Sequence, residues 1–277
     1  MDIALTSFSD TKQPRVCPST DLVLRDELEN GIVRLTLNRP EQRNALSLEL
    51  IRQLMTQFES MAHDDLVRVV ILAGAGPAFC AGHDLKELRA DPTVDFYNKV
   101  FGLCGRLMLT ITDFPRPVIA EVQGIATAAG CQLAATADLA IAAEDARFTT
   151  PGVNIGLFCS TPMVALSRAV APKHAMEMLL TGEPIGAIEA ERIGLINRAV
   201  PASELTKATM ALANKIAAKS VQTLKVGKGA FYRQLDMDLK HAYDYASHVM
   251  TENMQALDAA EGIDAFLQKR KPVWQDC

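Results

Sequence analysis

The chain has 277 residues, 49% of them hydrophobic, enough to bury a sizeable core in one large domain. A net charge of -5 supplies no basic field for a phosphate backbone, and four Tyr, one Trp and ten Phe leave little for base stacking, so nucleic acid is excluded as an expected partner. The most apolar stretch, 125–143, is interrupted by Gln132 and Asp138 and reads as buried elements, with no membrane span expected.

Residues 1–20 carry early acids and no apolar signal core, and they are expected to be disordered. The expected compartment is the cytoplasm, or the mitochondrial matrix if a presequence has been removed. Next, LVLRDELENGIVRLTLNRP reads as two short strands around a turn at Glu29-Asn30-Gly31. SLELIRQLMTQFESMAHDD predicts an amphipathic helix, with Ser47 as N-cap and Leu50, Leu54, Phe58 and Met61 on one face. RVVILAG is a continuous apolar run ending in glycine, the pattern of a strand buried on both faces.

The alternation then repeats. A helix is predicted over 97–112, a strand at PVIAEVQG, a small-residue helix from Ala128 and a strand at LAIAAED. The fold class is therefore α/β. From about Met163 the pattern changes to helices joined by short loops: MVALSRAV, KHAMEMLLTG, AIEAERIG, ELTKATMALANKIAAKS, LKHAYDYASHVMTENM and DAAEGIDAFLQKRKP. No strand is expected after Ala199-Val200. This divides the chain into a core over 21–200 and a helical region over 201–277, with a soft boundary.

The six cysteines, Cys17, Cys80, Cys104, Cys131, Cys159 and Cys277, form no CxxC pair, and the five histidines have no HExxH spacing, so neither disulfides nor a metal site is expected. Most of the cysteines read as small buried apolar residues. No GxSxG elbow, phosphate loop or GxGxxG is present.

Two strand-to-helix turns carry chemistry. In AFCAGHDLKEL, Asp84 and Glu87 have capping-box spacing, so a helix starts near Leu85, and Ala81-Gly82 lets a ligand approach the backbone just before it. In QGIATAAGCQLAATAD, Ala128, Ala129 and Gly130 stand between a buried strand and an Ala-rich helix. Unpaired N–H groups at such entrances attract a negative oxygen, and two turns facing one point would form an oxyanion hole. Either turn alone is better explained by close packing of a helix on a sheet.

The pattern as a whole resembles the crotonase family, the enoyl-CoA hydratase/isomerase superfamily. The resemblance runs from 22 to 274 through NRPEQRNALSLEL, FCAGHDLKEL, RPVIAEVQGIATAAGCQLAATADLAIA, FTTPGVNIGL, MLLTGEPIGAIEAERIGLINRAVP and EGIDAFLQKRKPVW. It implies a spiral of ββα units followed by C-terminal helices that form trimers, often paired into hexamers. It also implies an acyl-CoA thioester as the bound partner, with coenzyme A as part of the substrate and no separate cofactor. Carried over by motif, the thioester oxygen would be held by the backbone N–H groups of His83 and Ala129. Arg43, Ala45, Ala81, Lys86 and Gly130 would lie against the acyl-CoA, with Lys269, Arg270 or Lys271 reaching from a neighbouring subunit.

Hydratases of this family use two glutamates, and by motif their places are taken by Gln132 and Gly152. A primary amide cannot take a proton at neutral pH, and glycine supplies only room. Familiar hydration is therefore expected to be very slow, and plain double-bond migration is disfavoured too. Ser160 occupies the place of an aspartate in dehalogenase-like members; with Cys159, Thr150 and Asn154 it is a candidate on the following loop. The competing reading makes Ser160 or Thr161 a helix cap ahead of Pro162 and Cys159 a buried residue. Tyr243, Asp244 and Glu252 are candidates for a replacement carboxylate or hydroxyl from the helical part. The resemblance thus implies an acyl-CoA-processing enzyme. Its alternatives are a non-catalytic acyl-CoA-binding protein and a thioester hydrolase or decarboxylase of the same fold.

Overall fold

The computed structural model describes residues 21–276, so the expected disorder of 1–20 and the readings of Cys17 and Cys277 lie outside the described residues. Strands β1 (Val23–Glu27) and β2 (Ile32–Leu37) pair antiparallel around a tight turn. In that turn Asn30 and Gly31 have φ of 62° and 70°. A Cβ on Gly31 would stand 2.3 Å from the carbonyl oxygen of Leu66, so only glycine fits.

Helix α1 (Leu48–Met61) begins where the Ser47 hydroxyl accepts from the Leu50 N–H at 3.2 Å. Its predicted stripe of Leu50, Leu54, Phe58 and Met61 is fully buried, because residues three and four apart share one helix face. Strand β3 (Val69–Gly74) is buried on both faces and pairs parallel with β2. After α2 (Leu85–Ala90), α3 (Val94–Asp113) starts three residues before the predicted 97, because the Thr93 hydroxyl caps it by accepting from Phe96 N–H.

The chain continues through β4 (Val118–Val122), β5 (Ile125–Thr127), α4 (Ala129–Thr136), β6 (Leu139–Ala143) and β7 (Arg147–Thr149). There follow α5 (Pro162–Ala169), α6 (Pro172–Thr181), β8 (Ile185–Gly186), α7 (Ala187–Arg192) and β9 (Arg198–Val200). Last come α8 (Leu205–Ala217), α9 (Val221–Leu235), α10 (Leu239–Asn253) and α11 (Leu257–Leu267). Six strands form a sheet in the order β1-β2-β3-β4-β6-β9, parallel except at β1/β2, while β5, β7 and β8 form a small second sheet.

Alternation along the buried strands divides the core. Val33, Leu35, Val70, Leu72, Val118 and Ala120 pack in the cluster that includes α1, α3 and α4, whereas Ile32, Val69, Ile71 and Ile119 pack against Ala213 and Ala217 of α8. The first group, together with the turns that leave the sheet, carries the candidate site.

Helix α9 departs from the sequence reading, which had no helix there. VQTLKVGKGAFYRQL contains two glycines and buries only Val221, so it shows no apolar stripe. Polar contacts hold it instead: Lys228 Nζ donates to the Asp138 carboxylate at 2.7 Å and to the carbonyls of Ile111 and Arg116, and Tyr232 donates to Asp138 at 2.9 Å. Downstream, α10 buries no residue, and the chain end folds back as the Asp258 carboxylate accepts from the N–H groups of Gln275 and Asp276.

Candidate active site at two touching turns

The segment leading from β3 into α2 is laid along the chain that leads from β4 to β5. Phe79 N–H donates to Gln123 O at 2.9 Å, Cys80 N–H to Ile125 O at 3.0 Å, and Thr127 N–H back to Cys80 O at 2.9 Å. On its other side His83 is bridged to Leu46: Leu46 N–H donates to Gly82 O at 2.7 Å and Asp84 N–H to Leu46 O at 3.1 Å. The first turn is thus pinned between two backbone neighbours distant in sequence.

Glycines set how close the two turns come. Gly82 has φ of 86°, and a Cβ there would lie 2.9 Å from Thr127 O and 3.4 Å from Ala129 N. A Cβ on Gly130 would lie 2.0 Å from Cys80 O. Ala128, ahead of α4, has a positive φ, at φ 50° and ψ -113°, and its N–H donates to Thr149 O at 2.8 Å. Two donors remain at this contact. The N–H groups of His83 and Ala129 donate to no acceptor among the described residues, and α4 has no side-chain cap.

Asp84 caps α2 as the spacing predicts, accepting from Lys86 N–H at 3.1 Å and Glu87 N–H at 3.3 Å, and pairs with Arg39 at 3.0 Å. The reciprocal half of the capping box does not form. Asp84 N–H is already bonded to Leu46, and the Glu87 carboxylate instead accepts from Leu48 N–H at 2.9 Å, at the start of α1.

The His83 imidazole packs edge-on against Phe101 of α3, ring centroids 5.2 Å apart; its buried ring nitrogens make no hydrogen bond of normal geometry, although the Leu46 backbone is close enough to act on them. Burial pushes its pKa down to about 4, outweighing the opposing effect of the Leu46 backbone, so the ring is neutral at physiological pH. Gln132, on α4, is only 4% exposed and its Oε1 is likewise buried without a partner. Gly152 is buried at the start of a short 3-10 turn. A Cβ there would stand 2.7 Å from Leu157 O and 2.9 Å from the Cys159 sulfur.

A family model described as enoyl-CoA hydratase/isomerase matches residues 27–277. The chain belongs to this family. A relative from Xenopus laevis named "Enoyl-CoA hydratase domain-containing protein 3, mitochondrial" is 50% identical over 246 residues, 89% of this chain and 84% of that one. The crystal structure of an enoyl-CoA hydratase from Mycobacterium smegmatis is 51% identical, with a TM-score of 0.90 over 92% of this chain and 99% of that one. The human enoyl-CoA hydratase domain-containing protein 3 is 48% identical, with a TM-score of 0.89 over 92% of this chain and all of its own. The fold is that of the crotonases, with the C-terminal helices in place.

Other candidates of this enoyl-CoA hydratase/isomerase chain fall outside the contact between the turns. Ser160 is exposed and turned toward Phe158 O at 3.4 Å; neither it nor Thr161 caps α5, which starts on Pro162 without a side-chain cap. The Cys159 thiol is buried and pushed up by that burial, accepting from Gly152 N–H at 3.3 Å, while the Thr150 hydroxyl donates to Met178 O. Asn154 is exposed. On α10, Asp244 pairs with Lys240 and Glu252 with His248, all exposed, and Tyr243 is 69% exposed.

Among the CoA-side candidates, Arg43 and Lys86 are exposed and their side chains make no hydrogen bond or ion pair with the described residues. Ala81 N–H is occupied by Arg43 O, and Ala45 O accepts from Arg39. Arg270 pairs on the surface with Glu261, from Nη1 at 2.5 Å and Nη2 at 2.8 Å; Lys269 and Lys271 are exposed. The open surface formed by Ala246, Met250 and Met254 at α10 contains none of these residues. Sequence reasoning missed Arg39 as the partner of Asp84 and Phe101 as the wall against His83. Phe101 sits 18 positions from His83, and no spacing rule links them.

Proposed function

We propose that this enoyl-CoA hydratase/isomerase family member binds an acyl-CoA thioester and holds its carbonyl oxygen between the N–H groups of His83 and Ala129. The observation that carries this reading is the pair of unspent backbone donors at a contact that Gly82 and Gly130 alone make possible. Donors fixed in place stabilise the negative oxygen of an enolate without reorganising, each contributing about 2.7–4 kcal/mol in the transition state.

The chemistry that follows is not the two-carboxylate hydration of the family's hydratases. Gln132 can orient a polar group but cannot accept a proton, and Gly152 offers no side chain. Each missing acid or base function is worth roughly 10²–10⁴-fold in rate. Asp138 does not replace them, being committed to Lys228, Tyr232 and Val118 N–H.

The exposed apolar residues of the C-terminal helices, among them Met250, Met254, Leu257 and Phe266, fit burial against other copies in a trimer or hexamer. Among the described residues no helix is long and apolar enough to cross a membrane. The proposed setting is a cytoplasm or mitochondrial matrix, the latter in keeping with the name of the Xenopus relative.

The test is His83→Pro, which deletes one donor, beside His83→Ala, which keeps the N–H. Turnover of a panel of acyl-CoAs, read by mass spectrometry, should fall roughly 10²–10³-fold further in the proline variant. A folded proline variant that turns over or binds thioesters as well as the alanine variant refutes the assignment. Tight binding without any mass change would favour a mass-neutral reaction such as isomerisation or a non-catalytic acyl-CoA-binding protein, which chromatographic separation of the recovered thioesters distinguishes.

A further inference from the structure

The direction of the His83 backbone N–H is set by Leu46. Leu46 N–H donates to Gly82 O at 2.7 Å, and Leu46 O accepts from Asp84 N–H at 3.1 Å, so the residues on either side of His83 are both tied to Leu46. The carbonyl of Gly82 and the N–H of His83 belong to one trans peptide group and point in opposite directions. With that carbonyl turned toward Leu46, the His83 N–H points away from it, and the donor follows wherever Leu46 lies.

One guanidinium spans both flanks of this bridge. Arg39 Nη1 donates at 2.5 Å to the carbonyl of Ala45, the residue before Leu46, and Nη2 donates at 3.0 Å to the carboxylate of Asp84, the residue after His83. The two side chains are only 17% and 15% exposed. Arg39 is in turn held by Asn44: its N–H donates to Asn44 Oδ1 and its carbonyl accepts from Asn44 N–H, both at 2.9 Å. The fully buried Asn44 amide donates to the carbonyls of Ala75 and Ala78, which lead into the first turn. Arg43 and Asn44 have φ of 50° and 55°, a conformation that non-glycine residues keep only where their surroundings impose it.

The oxygens of Asp84 divide their work. Oδ1 caps α2 by accepting from the N–H groups of Lys86 and Glu87, while Oδ2 accepts from Arg39. Burial opposes the charge on Asp84, but the hydrogen bond and charge of Arg39 and the two helix N–H groups outweigh it and hold its pKa below the usual carboxylate range. Capping alone does not call for a charged residue, since asparagine caps equally well. A carboxylate opposite a rigid fork that reaches two acceptors at once fixes the spacing of the segments that carry them.

We propose that Arg39, through its paired contacts with Ala45 O and Asp84, is a positioning residue that keeps the His83 N–H aimed at the thioester oxygen. This rests on the reading that His83 and Ala129 hold that oxygen. Arg39 acts through the backbone of two other segments, and Asp84 acts with it as one unit.

The experiment compares butyryl-CoA with S-butyl-CoA, the thioether in which a methylene replaces the carbonyl. Both are titrated calorimetrically into the full chain, Arg39→Met, Asp84→Asn and the double variant. The thioether offers the donors no oxygen, so the affinity ratio reads the grip on the carbonyl, and a general loosening of the fold weakens both compounds and cancels. The full chain is expected to prefer the thioester by about tenfold, the yield of two hydrogen bonds to a neutral carbonyl. Each single variant leaves Ala129 N–H in place and should lower the ratio to about threefold, half of that free energy. The double variant should fall no further, because the two residues act as a unit. Asparagine at 84 still caps α2, so that variant decides the matter if Arg39→Met fails to fold. A ratio unchanged in the folded variants overturns the positioning role and leaves the thioester reading standing, as does loss of both compounds alike. Equal affinity of the full chain for the two compounds, or binding of neither, overturns both.

Discussion

Placing a carboxylate at residue 152 tests how deeply its absence is built into the fold. In Gly152→Glu the new Cβ meets Leu157 O at 2.7 Å, the Cys159 sulfur at 2.9 Å and Cys159 N at 3.3 Å. Ordinary heavy-atom contact is about 3.5 Å, so the Leu157 carbonyl must retreat by roughly 0.8 Å. That carbonyl belongs to a segment fixed at both ends, since Leu157 N–H donates to Gly152 O at 2.9 Å and Gly152 N–H donates to the Cys159 sulfur at 3.3 Å. Overpacking of this kind costs about 1–3 kcal/mol, and loss of one backbone hydrogen bond adds about 1. The expected destabilisation is therefore about 2–4 kcal/mol, measured by urea denaturation followed by circular dichroism. Adding Cys159→Ala removes the sulfur contact but not the carbonyl, and should recover only part of the loss. A parallel assay of crotonyl-CoA hydration should show no gain from the single substitution. A Gly152→Glu protein within 0.5 kcal/mol of the parent would show that the loop yields freely, and would refute the claim that residues 157–159 exclude a side chain there.

Three other outcomes are expected. Asp138→Ala strands Lys228, whose side chain is 8% exposed, and removing one partner of a buried pair should cost about 3–5 kcal/mol in urea denaturation, with Asp138→Asn milder because it still accepts hydrogen bonds. His83 has a folded-state pKa near 4 against 6.5 for the free side chain, so below pH 6.5 the unfolded chain takes up a proton that the native state refuses. Stability should accordingly fall as pH drops from 6.5 toward 4, by up to about 3 kcal/mol in total, and His83→Leu should flatten that part of the stability profile. Gly227→Ala and Gly229→Ala on α9 place a methyl where nothing lies within 4 Å, and each should raise stability by about 0.5–1 kcal/mol in thermal unfolding unless another copy of the chain packs there.

The elements legible in the sequence are those whose burial follows a short period. Leu50, Leu54, Phe58 and Met61 announce α1 because one helix face meets the sheet, and VVILAG announces β3 because both its faces are covered. Helix α9 was illegible because Asp138, some 90 positions away, holds it through Lys228 and Tyr232 in place of an apolar stripe. The two-residue β8 is too short to carry any period. The site shows the same division. Its small residues at 81–82 and 128–130 marked the turns, but the sequence could not say that Glu87 would serve Leu48, that Phe101 would enclose His83, or that Leu157 and Cys159 would fill the space beside Gly152.

That division has a chemical consequence. The proposed thioester donors are backbone N–H groups, and their positions depend on the path of the chain, fixed by Gly82, Gly130 and the positive-φ conformation of Ala128. A non-glycine residue held in such a conformation costs of the order of 1–3 kcal/mol and persists only where its surroundings impose it, here the bond from Ala128 N–H to Thr149 O and the start of α4. Side chains on the same two turns are under no such constraint. Residue 132 can carry an amide where the family's hydratases carry a carboxylate without moving either N–H. On this reading the chain keeps the polarising half of the site in its backbone and has exchanged the proton-transferring half for neutral hydrogen-bonding groups. Variants of the turns' glycines should then impair binding and turnover together, because they move the donors on which both depend.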